Sequence, residues 1–136
     1  MAGYSGTPLV KKLGIKEGFN VSFVNAPKGF HEELDFTDDV TVNSNSRAPI
    51  DFVLLFVRSK RELEKTFSRY AAKLKPAGMF WISWPKKASG VATDLTDNVV
   101  RELGLAKGMV DVKVCAVDET WSGLKFVFRL KDRPRK

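Results

Sequence analysis

With 136 residues, 43% of them apolar, the chain is long enough to bury one core without metal or disulfide support, and no segment reaches the roughly 20 apolar residues of a membrane span. A lone cysteine, Cys115, excludes an internal disulfide and fits a reducing compartment; Met1-Ala2-Gly3-Tyr4-Ser5-Gly6 lacks the basic and apolar regions of a secretory leader, so the expected location is cytoplasmic. The net charge of +7 admits anionic partners, but four basic residues crowd into positions 131–136 and Glu32, Glu33, Asp35, Asp38 and Asp39 form an acidic run, so no continuous basic stripe compels nucleic-acid binding.

Residues 7–14 read as a short helix, with Thr7 as N-cap, Pro8 in the first position and Gly14 at a left-handed exit. Residues 19–24 alternate and are β-branched or aromatic at most positions, which predicts the first strand. Asn25-Ala26-Pro27-Lys28-Gly29-Phe30 follows, and a short helix is expected from near Pro27. A small strand over 40–42 and a polar loop over 43–49 come next. Residues 50–57 form the most apolar run, with little alternation, as in a central parallel strand covered on both faces. Ser59 then caps a helix expected to reach Leu74, its buried face made by Leu63, Phe67, Tyr70, Ala71 and Leu74.

Pro76-Ala77-Gly78 ends that helix, and a strand over 79–84 runs into the basic loop Trp84-Pro85-Lys86-Lys87-Ala88-Ser89-Gly90. A further helix is expected from Asp94 or Leu95 to Leu103, with Gly104 and Gly108 bracketing its exit. Strands over 110–117 and 124–130 close the chain around Asp118-Glu119-Thr120-Trp121-Ser122-Gly123. Residues 1–131 form a single domain in this reading, and 132–136 a flexible basic tail.

This order predicts an α/β, three-layer, Rossmann-like architecture: a mainly parallel sheet with a C-terminal antiparallel hairpin. It is similar to a truncated methyltransferase fold lacking one middle strand–helix unit. In such a sheet the loops leaving the parallel strands gather along one edge, where ligands bind. That edge collects the candidate ligand-binding residues Asn25, Lys28, Arg58, Trp84, Lys86, Lys87, Ser89, Thr93, Trp121 and Ser122.

Each motif has a plainer reading beside its functional one. The turn after the first strand lacks two of the three glycines that let a backbone approach a pyrophosphate or adenosyl group, so a tight strand-to-helix turn is favoured and no cofactor is expected. The basic loop offers charge, donors and a helix start near Thr93 and Asp94 for a phosphate or carboxylate; its alternative is a solvated loop. Asp118 and Glu119 are the candidates for acid–base work, against a hairpin turn packed on Trp121. His31 and Cys115 show no relay, and no metal site is expected.

Four segments taken together resemble a family of small bacterial proteins known only as a domain of unknown function. They are residues 4–16, 84–90 and 93–96, and Val114-Cys115-Ala116-Val117-Asp118-Glu119-Thr120-Trp121-Ser122-Gly123-Leu124. The resemblance implies a bacterial stand-alone domain and carries no catalytic residue. The function expected from sequence is a non-catalytic domain binding a small anion or phosphate ligand, or an acidic protein partner. A divergent methyltransferase-like transferase with Asp118 or Glu119 as base is the alternative. Nucleic-acid binding ranks behind both, and no membrane association is expected.

Overall fold

The computed structural model describes residues 9–28, 30, 41–42 and 49–129. Among these, six strands form one sheet: β1 (Asn20–Val24), β2 (Thr41–Val42), β3 (Ile50–Phe56), β4 (Leu74–Pro85), β5 (Met109–Ala116) and β6 (Trp121–Phe128), in the order β2-β1-β3-β4-β6-β5. The first four are parallel neighbours, and β6 runs antiparallel to both β4 and β5. The helices are α1 (Leu9–Leu13), α2 (Lys60–Ala71) and α3 (Asp97–Ala106).

Period-two alternation gives the sheet two apolar faces. On β3 and directly after it, Val53, Leu55 and Val57 pack with Leu63 and Phe67 of α2 and Val100 and Leu103 of α3. Phe52, Leu54 and Phe56 pack on the other face with Leu13 of α1, Trp81, Val117 and Trp121. A strand buried on both sides needs the near-continuous apolar run seen in residues 50–57. α1 is pinned from the sheet: Trp81 Nε1 donates to the Leu13 carbonyl at 3.0 Å, in a buried bond. Gly14 then exits with φ 88°, the left-handed turn expected of it.

Five boundaries differ in ways that distant partners explain. α2 stops at Ala71 rather than Leu74, because the Lys73 carbonyl accepts from Ile50 N and Leu74 already pairs with Ile50. β4 therefore starts before Pro76-Ala77-Gly78, with a register irregularity where β3 passes from Ile50 to Phe52. α3 is capped by Thr96, whose hydroxyl accepts from Val99 N, and not by Thr93 or Asp94. It also runs through Gly104, where the ring of Phe126 leaves no room for a side chain. β6 starts at Trp121, since Trp121, Ser122 and Gly123 pair with Pro85, Trp84 and Ser83, and the turn shrinks accordingly. Where a short helix is expected from near Pro27, Pro27, Lys28 and Phe30 form a turn instead, with Phe30 N donating to the Pro27 carbonyl; the Thr7–Pro8 helix start, the acidic run, His31 and the tail lie outside the described residues.

Among the described residues two buried side-chain polar atoms lack a hydrogen-bond partner, Asn20 Oδ1 and the Ser22 hydroxyl. The Ser22 hydroxyl on β1 is 1% exposed and has no hydrogen-bond partner. An orphaned buried hydroxyl costs about 1–3 kcal/mol. Ser22→Ala is therefore expected to raise unfolding stability by about 1 kcal/mol in urea titrations, and a loss of stability would show that the hydroxyl is bonded.

Candidate functional site

β1 has β2 on one side and β3 on the other, so the chain reverses direction across the sheet between β1 and β3. Beyond the carboxyl ends of strands at such a reversal, neither connection covers the crevice. A cavity of about 390 Å³ lies at this place, lined by Asn25, Ala26, Pro27, Phe56, Arg58, Glu62 and Trp121. Its size falls within the about 300–1,000 Å³ common for small-molecule sites.

Local chemistry sets each lining group. Asn25 turns the chain out of β1 at φ 59°, the only non-glycine residue with positive φ among those described. Asparagine tolerates that conformation better than other side chains, so it supplies the bend that glycine usually provides. At the end of β3, Ser59 caps α2 by accepting from Glu62 N at 3.1 Å, while Glu62 Oε1 accepts from Arg58 N at 2.9 Å. This reciprocal arrangement is a variant of the capping box, and it fixes both Arg58 and Glu62 at the cavity. The Arg58 carbonyl accepts from Thr93 Oγ1 at 2.6 Å, so the backbone is held from both sides.

The wall is aromatic. Trp121 meets Phe56 edge-to-face at 5.0 Å, and Phe56 meets Phe30 in the same way at 5.0 Å. The Arg58 guanidinium carbon sits 5.8 Å from the centre of the Trp121 ring. A cation over an indole gains about 0.5–1 kcal/mol at an exposed position. The arrangement offers one delocalised cation, one carboxylate with an oxygen to spare, and a flat apolar surface.

Of the residues singled out from sequence, Asn25, Arg58 and Trp121 line the cavity. Trp84 does not: alternation along β4 turns it to the opposite face, where it is 5% exposed and packs with Leu95 and Val57. Ser122 sits opposite Trp84 in the ladder, and its carbonyl accepts from Ser83 Oγ. Lys86 N donates to the Thr120 carbonyl at 2.7 Å, so the basic loop and the hairpin turn lie side by side. Lys87 is exposed on a 3-10 turn, Lys28 is exposed on the turn after β1, and Ser89 Oγ donates to the Lys86 carbonyl within its own loop.

Thr93 is occupied in joining that loop to the end of β3; Asp94 likewise accepts from Lys60 N. Asp118 Oδ1 accepts from Thr120 N and Trp121 N, each at 2.8 Å, which makes it the cap of the β5–β6 turn, and Glu119 is exposed. Cys115 is half-buried, and burial pushes its thiol above the ordinary range despite nearby Lys113 and Lys12. Among the described residues no group of three or more His, Cys, Asp or Glu side chains converges as a metal site would require, and no helix is long and apolar enough to cross a membrane.

Sequence reasoning missed Phe56 and Glu62. The signal for Glu62 was present, since Ser59-Lys60-Arg61-Glu62 is a capping pattern directly after a strand.

No family model and no curated protein matches the chain. Solved structures do. A SAM-dependent methyltransferase from Aquifex aeolicus superimposes with a TM-score of 0.63 at 17% identity, covering 87% of this chain and 86% of that one. The fold is that of the methyltransferases. Magnesium protoporphyrin IX methyltransferase from Synechocystis PCC 6803, with bound SAM, gives a TM-score of 0.58 at 11% identity over 89% of this chain and 74% of its own. A fibrillarin pre-rRNA processing protein from Methanococcus jannaschii gives 0.57 at 11% identity, over 93% and 71%. The chain is thus a shortened version of that architecture, as its element order implies.

Proposed function

We propose that this chain is a divergent transferase of the methyltransferase fold that holds a small molecule in the cavity between β1 and β3. The observation that carries this reading is the position of the cavity at the reversal point of the sheet, with Arg58, Glu62 and Trp121 converging on it. The solved neighbours lend support, since several are named methyltransferases and two hold SAM. This reading replaces the non-catalytic one favoured by the sequence.

The groups present fit S-adenosylmethionine in kind. Arg58 suits its carboxylate, the spare oxygen of Glu62 suits its ammonium, and the Phe56–Trp121 wall suits an apolar or planar part. Asn25 keeps the left-handed bend without glycine. Bound there, the compound would supply an electrophilic methyl group. The chain's own part is to orient the ligand by charge and to exclude water with the aromatic wall.

A second reading, ligand binding without transfer, is favoured by one feature. Ala26 and Pro27 line the cavity where glycine would leave backbone bare, and Pro27 has no N–H to donate.

Isothermal titration with S-adenosylmethionine and S-adenosylhomocysteine tests the proposal. Both are expected to bind, and Arg58→Ala is expected to weaken them at least tenfold while shifting the melting temperature little. Binding of neither compound to the wild-type protein would reject the transferase. Binding that Arg58→Ala leaves intact would move the site elsewhere.

A further inference from the structure

The sheet face beneath α1 carries a concentration of positive charge that the cavity does not use. Lys113 on β5 and Lys125 on β6 are directly opposed in the antiparallel ladder, and Lys125 is in turn opposite Trp81 on β4. Opposed residues share a face, so both lysines lie on the side where Trp81 bonds to α1. Lys113 Nζ reaches the Lys12 carbonyl at the end of α1, at 3.0 Å. Lys16 follows in the segment after that helix.

Like charges directly across a ladder are destabilising. Among the described residues neither lysine is in an ion pair: Asp51 is taken by Lys75, and Asp111, on the other face of β5, by Arg101. Lys125 is also half-buried, and burial, followed by the charges of Lys113 and Lys16, pulls its ammonium below the ordinary lysine range. A cation kept partly out of water beside two others is an expensive arrangement for a merely solvated face.

We infer that Lys16, Lys113 and Lys125 form a second ligand site, distinct from the cavity, for a compact, multiply charged phosphate such as a diphosphate group. An anion bridging Lys113 and Lys125 turns their repulsion into two charge-assisted hydrogen bonds. Lys113 and Lys125 face each other across the ladder and the charge of Lys16 reaches Lys125, so the cations are clustered and not strung along a stripe. That favours one diphosphate over the regularly spaced single charges of a nucleic-acid backbone. The site is independent of what occupies the cavity and stands whether or not the protein transfers a methyl group.

The test uses the full chain and inorganic pyrophosphate, titrated calorimetrically at low salt, beside orthophosphate and a short single-stranded oligonucleotide. Pyrophosphate is expected to bind tighter than orthophosphate, and Lys125→Met to weaken it at least tenfold. Methionine keeps the apolar stem and removes the charge. Without anion, the same variant is expected to melt higher than wild type, because the opposed charges are gone. A charge-matched control, Lys65→Met on the exposed side of α2, is expected to leave pyrophosphate binding unchanged. Binding unaffected by Lys125→Met, weakened equally by Lys65→Met, or absent in the wild type would overturn the site. An oligonucleotide that binds tighter than pyrophosphate would overturn its assignment to a diphosphate.

Discussion

Gly104→Ala is expected to destabilise the protein by about 2–3 kcal/mol, measured by urea denaturation. The usual sign is the reverse, since alanine in a helix gains up to about 1 kcal/mol over glycine. Here a Cβ would overlap Phe126 Cε1 and lie 2.5 Å from Cζ. Phe126 is fully buried and meets Phe67 of α2 edge-to-face at 6.2 Å, so the ring has nowhere to retreat. α3 must then lift from the sheet or the ring must leave its rotamer. Phe126→Leu in the same chain is expected to recover part of the loss, giving a measurable coupling between the two positions. A stabilised Gly104→Ala variant would mean that α3 rides farther from β6 than described.

Trp121→Ala is expected to cost more, about 3–5 kcal/mol, as a large buried aromatic is removed. The ring is 6% exposed and closes the line of aromatic contacts through Phe56 to Phe30. It is also the surface over which Arg58 lies, so the cavity loses a wall in the same variant. Trp121→Phe keeps an edge-to-face partner for Phe56 and is expected to cost well under half as much. Equal, small losses for both substitutions would show that the indole is not packed as described.

The architecture was legible because its signals are local. The unbroken apolar run over 50–57, the Ser59 cap and the 3.6-residue spacing of Leu63 and Phe67 each follow from neighbouring residues alone. The boundaries that moved were set by distant partners. Residues 74–78 joined β4 because β3 offers a ladder from Ile50 onward, and the glycine at 104 marks no helix end but a close approach to the ring of Phe126 on β6. The same distinction governs the site. Element order placed Asn25, Arg58 and Trp121 at one edge, but which face each ring takes depends on register. One position along β4 was enough to send Trp84 into the core beneath α3.

α1 has five residues, too few to persist as a helix unaided. Its anchors arrive late in the chain: the Trp81 indole is 68 positions downstream of the carbonyl it holds, and the Lys113 ammonium 101. The bonds that hold α1 can therefore form only once β4 and β5 have assembled beneath it. Until then the Trp81 indole N–H lacks that partner, so a change in Trp81 emission during refolding, read in a chain with Trp84 and Trp121 replaced by Phe, is expected to report the docking of α1.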